Sequence, residues 1–420
     1  MTQPIKVIVI GGGAAGFFGA IACAEASPTA QVTLLEAAAE PLGKVRISGG
    51  GRCNVTHHCF DPALLVQQYP RGGKALRGAF SRFQPEDTIA WYKRRGVRLK
   101  TEADGRMFPI TDDSQTVIDC LMGEVRRVGV TLRLKAAVKT VHREANGFRV
   151  TLRSQETLVC DRLLIATGSS PQGHRFATTL GHTVESPVPS LFTFNVPDKT
   201  LHSLAGISAD PVAVKLTVPN TKSLTQTGPL LITHWGFSGP TILKLSAWGA
   251  RVLHDARYQG TLQINWIPAL NSEQLRQTLQ AARTQMPKRA IFNHCPLALP
   301  KRLWRYWTKQ ADLEETTSWA NLPKKALNRL TELITRGTYP LQGKGVFKDE
   351  FVTCGGIKLS EVNFKTMQSR CCPGLFFAGE ILNIDGVTGG FNFQSAWTTG
   401  WLAGQAMGQE GGITILKDND

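Results

Sequence analysis

The sequence predicts an α/β fold of parallel strands and crossover helices, interrupted by a long insertion that is strand-rich at first and helical later. Three observations predict it. A β-branched run, Ile5 to Ile10, passes directly into Gly11-Gly12-Gly13-Ala14-Ala15-Gly16. A second apolar run, Gln31 to Leu35, ends in Glu36, twenty positions past Gly16. A further strand, glycine turn and helix pattern recurs between Gly374 and Met407. This combination of strand, G-x-G-x-x-G turn, helix and distant carboxylate is the pattern of a Rossmann-type dinucleotide-binding domain.

In the first element, Gly11 allows the tight turn and Gly13 lets the backbone approach a pyrophosphate. Gly16 lets the helix opening there pack on the strand, and Ala15 lies in the same turn. The anion is then met by unpaired helix N–H groups, and Glu36 accepts ribose hydroxyls. Val7 to Ala24 is an uncharged run of 18 residues, but five glycines interrupt it and a membrane span wants ~20 strongly apolar residues. The run is therefore a strand-turn-helix unit, and no membrane association is expected.

A second glycine-rich segment, Lys44 to Thr56, places Ser48-Gly49-Gly50-Gly51 beside Lys44, Arg46 and Arg52. Bare backbone next to cations suits phosphate or flavin contact. Val138 to Leu152 alternates about Asn146-Gly147 as a hairpin does, and Asp161 to Gly168 reads as a strand returning to a small-residue turn at Thr167 and Gly168. Gly374 to Glu380 repeats that pattern, followed by Asp385 to Gln394 and a small-residue helix from about Ser395 to Met407.

Gly11–Gly16, Lys44–Thr56, Gly105–Pro109, Thr233–Pro240, Val352–Gly356 and Gly379–Gln394 together resemble the bile-acid dehydro-reductase-like, or aminoacetone-oxidase-like, family of bacterial NAD(P)/FAD-dependent flavoproteins. The likeness runs in order through nearly the whole chain. It implies one FAD in a flavoprotein of the two-dinucleotide-binding-domain type, with a domain inserted between the halves of the FAD domain. By position it assigns Gly11, Gly13, Ala15 and Gly16 to the pyrophosphate, Glu36 to the adenosine ribose and Val138 to the adenine. Lys44, Gly51, Arg52 and Asn54 go to the flavin side, Thr167 and Gly168 to the cofactor's flank, and Gly379 and Glu380 to the ribityl chain. Asn392 and Phe393, with Gly390 just before them, fall where helix N–H groups meet the flavin's N1–C2=O edge, where a helix N-terminus stabilises the negative charge of the reduced ring. Asn383 stands where many relatives carry Asp, which puts a carboxylate role there in doubt.

The domain reading is a discontinuous cofactor domain over 1–189 and 346–420, a β-barrel-like domain over 190–267 and a mainly helical domain over 268–345. Leu191 to Ile267 alternates Val, Thr, Leu and Phe between Pro and Gly turns. Ser272 to Gln285 and Pro300 to Gln310 have helical spacing, with Ser272 and Pro300 as start signals.

The 420 residues hold 48 Lys and Arg against 32 Asp and Glu, a net charge of +16, so anionic partners enter consideration. The excess concentrates in Asp255–Lys344, with 14 cations to 6 anions, and in Leu65–Glu102, with 9 to 3. Lys301 to Lys309 interleaves cations with Trp304, Tyr306 and Trp307; an amphipathic helix with a basic solvated face is preferred there over a nucleic-acid stacking platform. The nine Cys show no CxxC spacing, which favours free thiols in a cytoplasmic protein and supports neither a redox dithiol nor a zinc site, so no metal is expected. Cys371 and Cys372 read as surface or packing residues.

With FAD carrying the hydride chemistry, the protein has to hold a substrate and manage a proton. Arg52, near an anionic flavin or oxyanion, and His234, as a proton carrier, are the two catalytic candidates. No second G-x-G-x-x-G has its own acidic partner, so NADH or NADPH would visit transiently, or oxygen would reoxidise the flavin. The leading expectation is an FAD-dependent oxidoreductase of a small organic molecule. The rivals are a flavin-dependent RNA-modifying or nucleic-acid-binding protein and a non-catalytic flavin binder. The sequence leaves oligomeric state open.

Overall fold

The structure, a computed structural model, describes residues 3–345 and 352–409. The chain forms two compact units, Met1–Val188 with Phe351–Asp420, and Pro189–Glu350. Of the expected cofactor-domain limits, 346–351 and 410–420 lie outside the described residues.

The first unit is organised by a seven-stranded sheet. The strand Lys6–Ile10 sits inside it, parallel to Gln31–Leu35 on one side and Arg162–Ile165 on the other. Leu375–Phe377 continues the parallel set beyond Arg162–Ile165, and Thr131–Arg133 continues it beyond Gln31–Leu35. Two short antiparallel strands, Gln368–Ser369 and Val362–Asn363, finish one edge. Val7, Val9, Leu34, Leu164 and Phe377 are buried, as strands covered on both faces require.

The helix Ala14–Ala26 is apolar on nearly every side, and the helix Phe391–Gly408 packs along it. Glycines at four-residue intervals make this contact. A Cβ at Gly400 would lie 2.6 Å from the Ala15 carbonyl oxygen, one at Gly404 2.4 Å from that of Gly19, and one at Gly408 2.9 Å from that of Cys23. The two backbones therefore approach more closely than any larger side chain allows.

Two helix starts differ from expectation. The first helix begins at Ala14 rather than at Gly16, with Gly13 as its extended N-cap. The C-terminal helix begins at Phe391 rather than Ser395, because Gly390 at φ +91° ends the preceding loop in the left-handed region. This earlier start places the backbone N–H groups of Asn392 and Phe393 in the first turn.

In the second unit six antiparallel strands run in the order Phe194–Asn195, Gly236–Ser238, Leu224–Thr233, Ser208–Thr217, Gln259–Asn265 and Gly337–Gln342. The ends meet: Asn195 N–H donates to the Gly343 carbonyl at 3.1 Å and Gly345 N–H to the Thr193 carbonyl at 3.0 Å. The sheet thus closes into a barrel. The helices Pro240–Trp248 and Ala250–Asp255 interrupt the region read as strands, starting from Pro240 at the first helical position.

The division at 267/268 is corrected by the structure. The closing strand Gly337–Gln342 follows the helices Ser272–Gln285, Lys301–Gln310 and Lys324–Arg336, so the helical part is a loop-out of the barrel. Barrel and helices share one core, in which Trp266 of the barrel meets Trp307 of the helices at 5.4 Å between ring centroids. Asn271, rather than Ser272, caps the first of these helices, in a reciprocal pair with Gln274.

Candidate functional site

Four neighbouring parallel strands of the first unit end in residues singled out above: Ile10 leads to Gly11, Leu35 to Glu36, Ile165 to Thr167, and Phe377 to Gly379. In open α/β sheets the crevice beyond the carboxyl ends of the strands is where ligands bind.

Glycine is required at two points of this rim. Gly11 has φ +112°, and a Cβ there would stand 2.4 Å from the Ala166 carbonyl oxygen; a Cβ on Gly16 would stand 1.9 Å from the Gly11 carbonyl oxygen. Gly13 differs, since a Cβ on it meets no protein atom within 4 Å. It is also the helix N-cap and offers no side chain to the first-turn N–H groups. Open space and uncapped donors together form a cradle for an anion.

Glu36 is fixed by backbone donors, with Gly12 N–H on Oε2 and Ala38 N–H on Oε1, both at 2.7 Å. Each carboxylate oxygen keeps accepting capacity for a hydroxyl. Ala136 N–H donates to the Glu36 carbonyl at 2.8 Å, which brings the chain leading into Val138 alongside this strand end. Gly379, at φ +76°, lies against Ala15, so that a Cβ on it would be 2.8 Å from the Ala15 methyl. Beside it, Glu380 accepts from Lys44 Nζ at 2.5 Å and from Thr353 N–H at 2.9 Å. Gly168, at φ +59°, faces this carboxylate, and the Thr167 hydroxyl is buried without a partner among the described residues.

Lys44–Thr56 folds as a helix, Gly43–Gly51, that turns sharply through left-handed Gly49, Gly50 and Gly51. The Asn54 amide, oriented to satisfy both neighbours, donates to the Thr56 carbonyl at 3.0 Å and accepts from Gly390 N–H at 2.9 Å. This joins the second glycine segment to the start of the C-terminal helix. The Asn392 side chain turns back onto its own loop, accepting from Gly386 N–H at 2.8 Å and donating to the Gly386 carbonyl at 2.9 Å. Phe393 stacks on Trp397. Only the backbone N–H groups of Asn392 and Phe393 are therefore left for the role the sequence suggested.

The two catalytic candidates lie in different units. Arg52 donates to Glu102 at 2.6 Å and to Asp112 at 3.4 Å, and its guanidinium covers the Phe108 ring at 3.9 Å. The Glu102 hydrogen bond leads the effects that hold its charge more firmly than usual. The Arg52 charge is thus compensated by two carboxylates, and its guanidinium lies over the strand Arg106–Pro109 at Phe108. His234 is an exposed residue of the second unit, in the turn between Leu224–Thr233 and Gly236–Ser238. Asn383 has a buried Oδ1 without a partner among the described residues, where the resemblance looks for a carboxylate.

Several site-forming residues escaped the sequence reading. Asp385 is fully buried and forms a two-pronged ion pair with Arg71. Tyr69 Oη donates to the Phe391 carbonyl at 2.6 Å. Gln394 Oε1 accepts from Thr56 at 2.6 Å and Thr88 at 3.0 Å, while its Nε2 donates to Thr398 at 3.0 Å. These contacts fix the loop 385–390 and the helix it feeds. The one signal for them was Asp385 at the head of the glycine loop; nothing local marks Arg71, Tyr69 or Thr88.

The donors and spaces fit FAD: an anion cradle at Gly13, a carboxylate for a ribose at Glu36, and a second helix N-terminus at Gly390 for an electron-rich ring edge. The ribosomal RNA dihydrouridine synthase of Escherichia coli is 29% identical over 96% of this chain and 98% of its own. The 3-dehydro-bile acid delta(4,6)-reductase of Clostridium scindens is 26% identical over 96% and 99%. Among solved structures, the 3-ketosteroid-delta4-(5alpha)-dehydrogenase of Rhodococcus jostii shares the fold at a TM-score of 0.50 and 14% identity, covering 98% of both chains. The model of the HI0933-like protein Rossmann domain matches residues 5–406, and the chain belongs to that family as an FAD-dependent oxidoreductase with a Rossmann-type FAD-binding fold.

Proposed function

We propose that the chain is a reductase of a carbon–carbon double bond conjugated to a carbonyl, and that its substrate is the uracil ring of uridine in ribosomal RNA. The observation that carries this reading is the charge of the second unit. Residues 189–345 hold 19 Lys and Arg against 8 Asp and Glu, a net +11 of the chain's +16. On its helices Arg283, Lys301, Arg305, Lys324, Arg329 and Arg336 are all exposed, while Trp304, Tyr306 and Trp307 are buried. The helices thus present cations without stacking rings, a surface suited to backbone phosphates and neutral as to sequence. Two dihydrouridine synthases align over nearly the whole chain, the second, from Haemophilus influenzae, at 29% identity.

When bound, FAD supplies hydride transfer. The chain's residues bind and orient. The first-turn N–H groups behind Gly13 hold the diphosphate, Glu36 holds a ribose, and Lys44 with Glu380 and Thr353 fixes the turn at Gly379. Asn54 and the Asn392 side chain lock the opening of the C-terminal helix, whose N–H groups favour a negative ring edge. NADH or NADPH would serve as a transient reductant. A second reading, a small enone of the bile-acid kind, draws on the C. scindens relative.

The test is anaerobic incubation of the purified flavoprotein with NADH or NADPH and under-modified ribosomal RNA, followed by digestion and mass analysis of the nucleosides. Uridine gaining two hydrogens at discrete positions is the expected result, with RNA affinity falling steeply as salt rises. Reduction of a steroid enone with unchanged RNA would overturn the RNA reading in favour of the second. No reduction of either by either nicotinamide would overturn both.

A further inference from the structure

Near one edge of the sheet of the first unit, three elements bring a nitrogen, an oxygen and a sulfur ligand together. His182 follows the helix Pro171–Thr179, Glu361 closes the turn Leu359–Glu361 that leads into the edge strand Val362–Asn363, and Cys371 follows the neighbouring strand Gln368–Ser369. Their ligand atoms all lie within 4.8 Å of one another. We infer that His182, Glu361 and Cys371 form a zinc site.

The orientation of His182 is set for it. Its Nδ1 faces the Ala177 carbonyl at 3.3 Å, and a carbonyl only accepts, so Nδ1 carries the proton. Nε2 therefore holds the lone pair, which the Ser369 hydroxyl occupies at 2.8 Å. A metal-bound histidine is held in this way, with the far nitrogen donating to a backbone carbonyl. The ring is buried and stands edge-on to Phe377 at 4.8 Å between centroids.

Glu361 is anchored by Thr183 N–H, which donates to Oε2 at 2.8 Å, and so points into the cluster from a fixed backbone. Cys371 is exposed and supplies the access route. A neutral imidazole, one carboxylate and one thiolate balance the charge of Zn²⁺, and this mixture of nitrogen, oxygen and sulfur suits a borderline cation better than magnesium or calcium.

Bonds of ~2.0–2.3 Å to tetrahedral zinc put ligand atoms roughly 3.3–3.8 Å apart. Rotation of the exposed Cys371 side chain and of the Glu361 carboxylate closes the difference, and the Ser369 hydroxyl gives up Nε2. Binding displaces the Cys371 thiol proton to solvent and changes no oxidation state. A water completes the fourth position. The ion would pin the edge strands to the exit of the helix Pro171–Thr179, behind Phe377 and the turn at Gly379.

The experiment uses the full-length flavoprotein, stripped of metal with a chelator, supplied with one equivalent of Zn²⁺ and passed through a desalting column. One zinc per chain is expected, with X-ray absorption at the zinc edge showing one sulfur and lighter ligands. In Cys371→Ser the sulfur shell disappears and affinity falls by more than the roughly 10–100-fold that an outer-shell partner contributes. Because His182 is buried and its replacement can disturb folding, Glu361→Gln is the second variant, expected to weaken zinc while the flavin absorbance stays that of the parent. Failure of the parent to retain zinc would overturn the assignment. So would an unchanged sulfur shell in Cys371→Ser, or unchanged zinc retention in both variants.

Discussion

The two units solve the problem of close packing in opposite ways. In the first, the decisive contacts are made by missing side chains: Gly11 against Ala166, Gly16 against Gly11, and Gly400 and Gly404 against the helix Ala14–Ala26. In the second, the core is filled by large rings, with Trp266, Trp304, Trp307 and Trp319 all within 2% of complete burial. Where backbone has to meet a ligand or another backbone, added volume does the damage; where side chains meet, removed volume does.

Adding one methyl should therefore have its largest effect in the first unit. Gly16→Ala drives a Cβ into the Gly11 carbonyl, and the purified protein is expected to lack flavin absorbance and to lose much of its thermal stability. Gly13→Ala sharpens the comparison, because its Cβ meets only open space. That variant should fold with nearly parental thermal stability yet retain far less FAD, as read by the ratio of flavin to protein absorbance.

Removing volume should matter most in the second unit. Trp307→Ala, emptying a fully buried site, is expected to cost about 3–5 kcal/mol in denaturant unfolding. A change of similar size comes from charge. Arg71→Met removes the two-pronged ion pair of buried Asp385 and should cost about 3–5 kcal/mol, with weaker flavin retention because the 385–390 loop loses that contact.

Smaller effects follow from single polar groups. Burial lowers the pKa of His174, and its Nε2 is enclosed without a partner among the described residues. The unfolded chain then binds the extra proton more readily than the folded one. The stability from this site is full above the ordinary histidine value of about 6.5 and is lost as pH falls below it. Melting temperatures on either side of that value should differ more for the parent than for His174→Phe. Last, Asn271→Ala removes a helix cap and should cost about 1 kcal/mol, read as a shift in denaturant midpoint.

What the sequence made legible follows the same division. Glycine turns are local, since the tight approach at Gly11 and Gly16 is written within a few residues, and strand, turn and carboxylate could be placed from Ile5 to Glu36. The closure of the barrel was not legible, because its closing strand lies beyond three helices, where nothing near Gly337 says which strand it will join. The aromatic residues of Lys301–Gln310 were read correctly as a buried stripe beneath a basic face, since their spacing alone decides which side of a helix they occupy. The surroundings of Arg52 were not legible for a different reason. Its carboxylate partners, Glu102 just after the strand Leu99–Thr101 and Asp112 in the loop before the helix Ser114–Arg127, lie 50 and 60 positions away, and no local pattern announces the pairing.

The pairing of the helices Ala14–Ala26 and Phe391–Gly408 carries a consequence for biosynthesis. Gln405 donates to the Ala22 carbonyl across 383 positions of chain, so during synthesis an almost wholly apolar helix emerges long before the partner that covers it. During that interval it is a natural client for a chaperone. A ribosome stalled between the two helices would hold a chain whose apolar first helix has nothing to pack on.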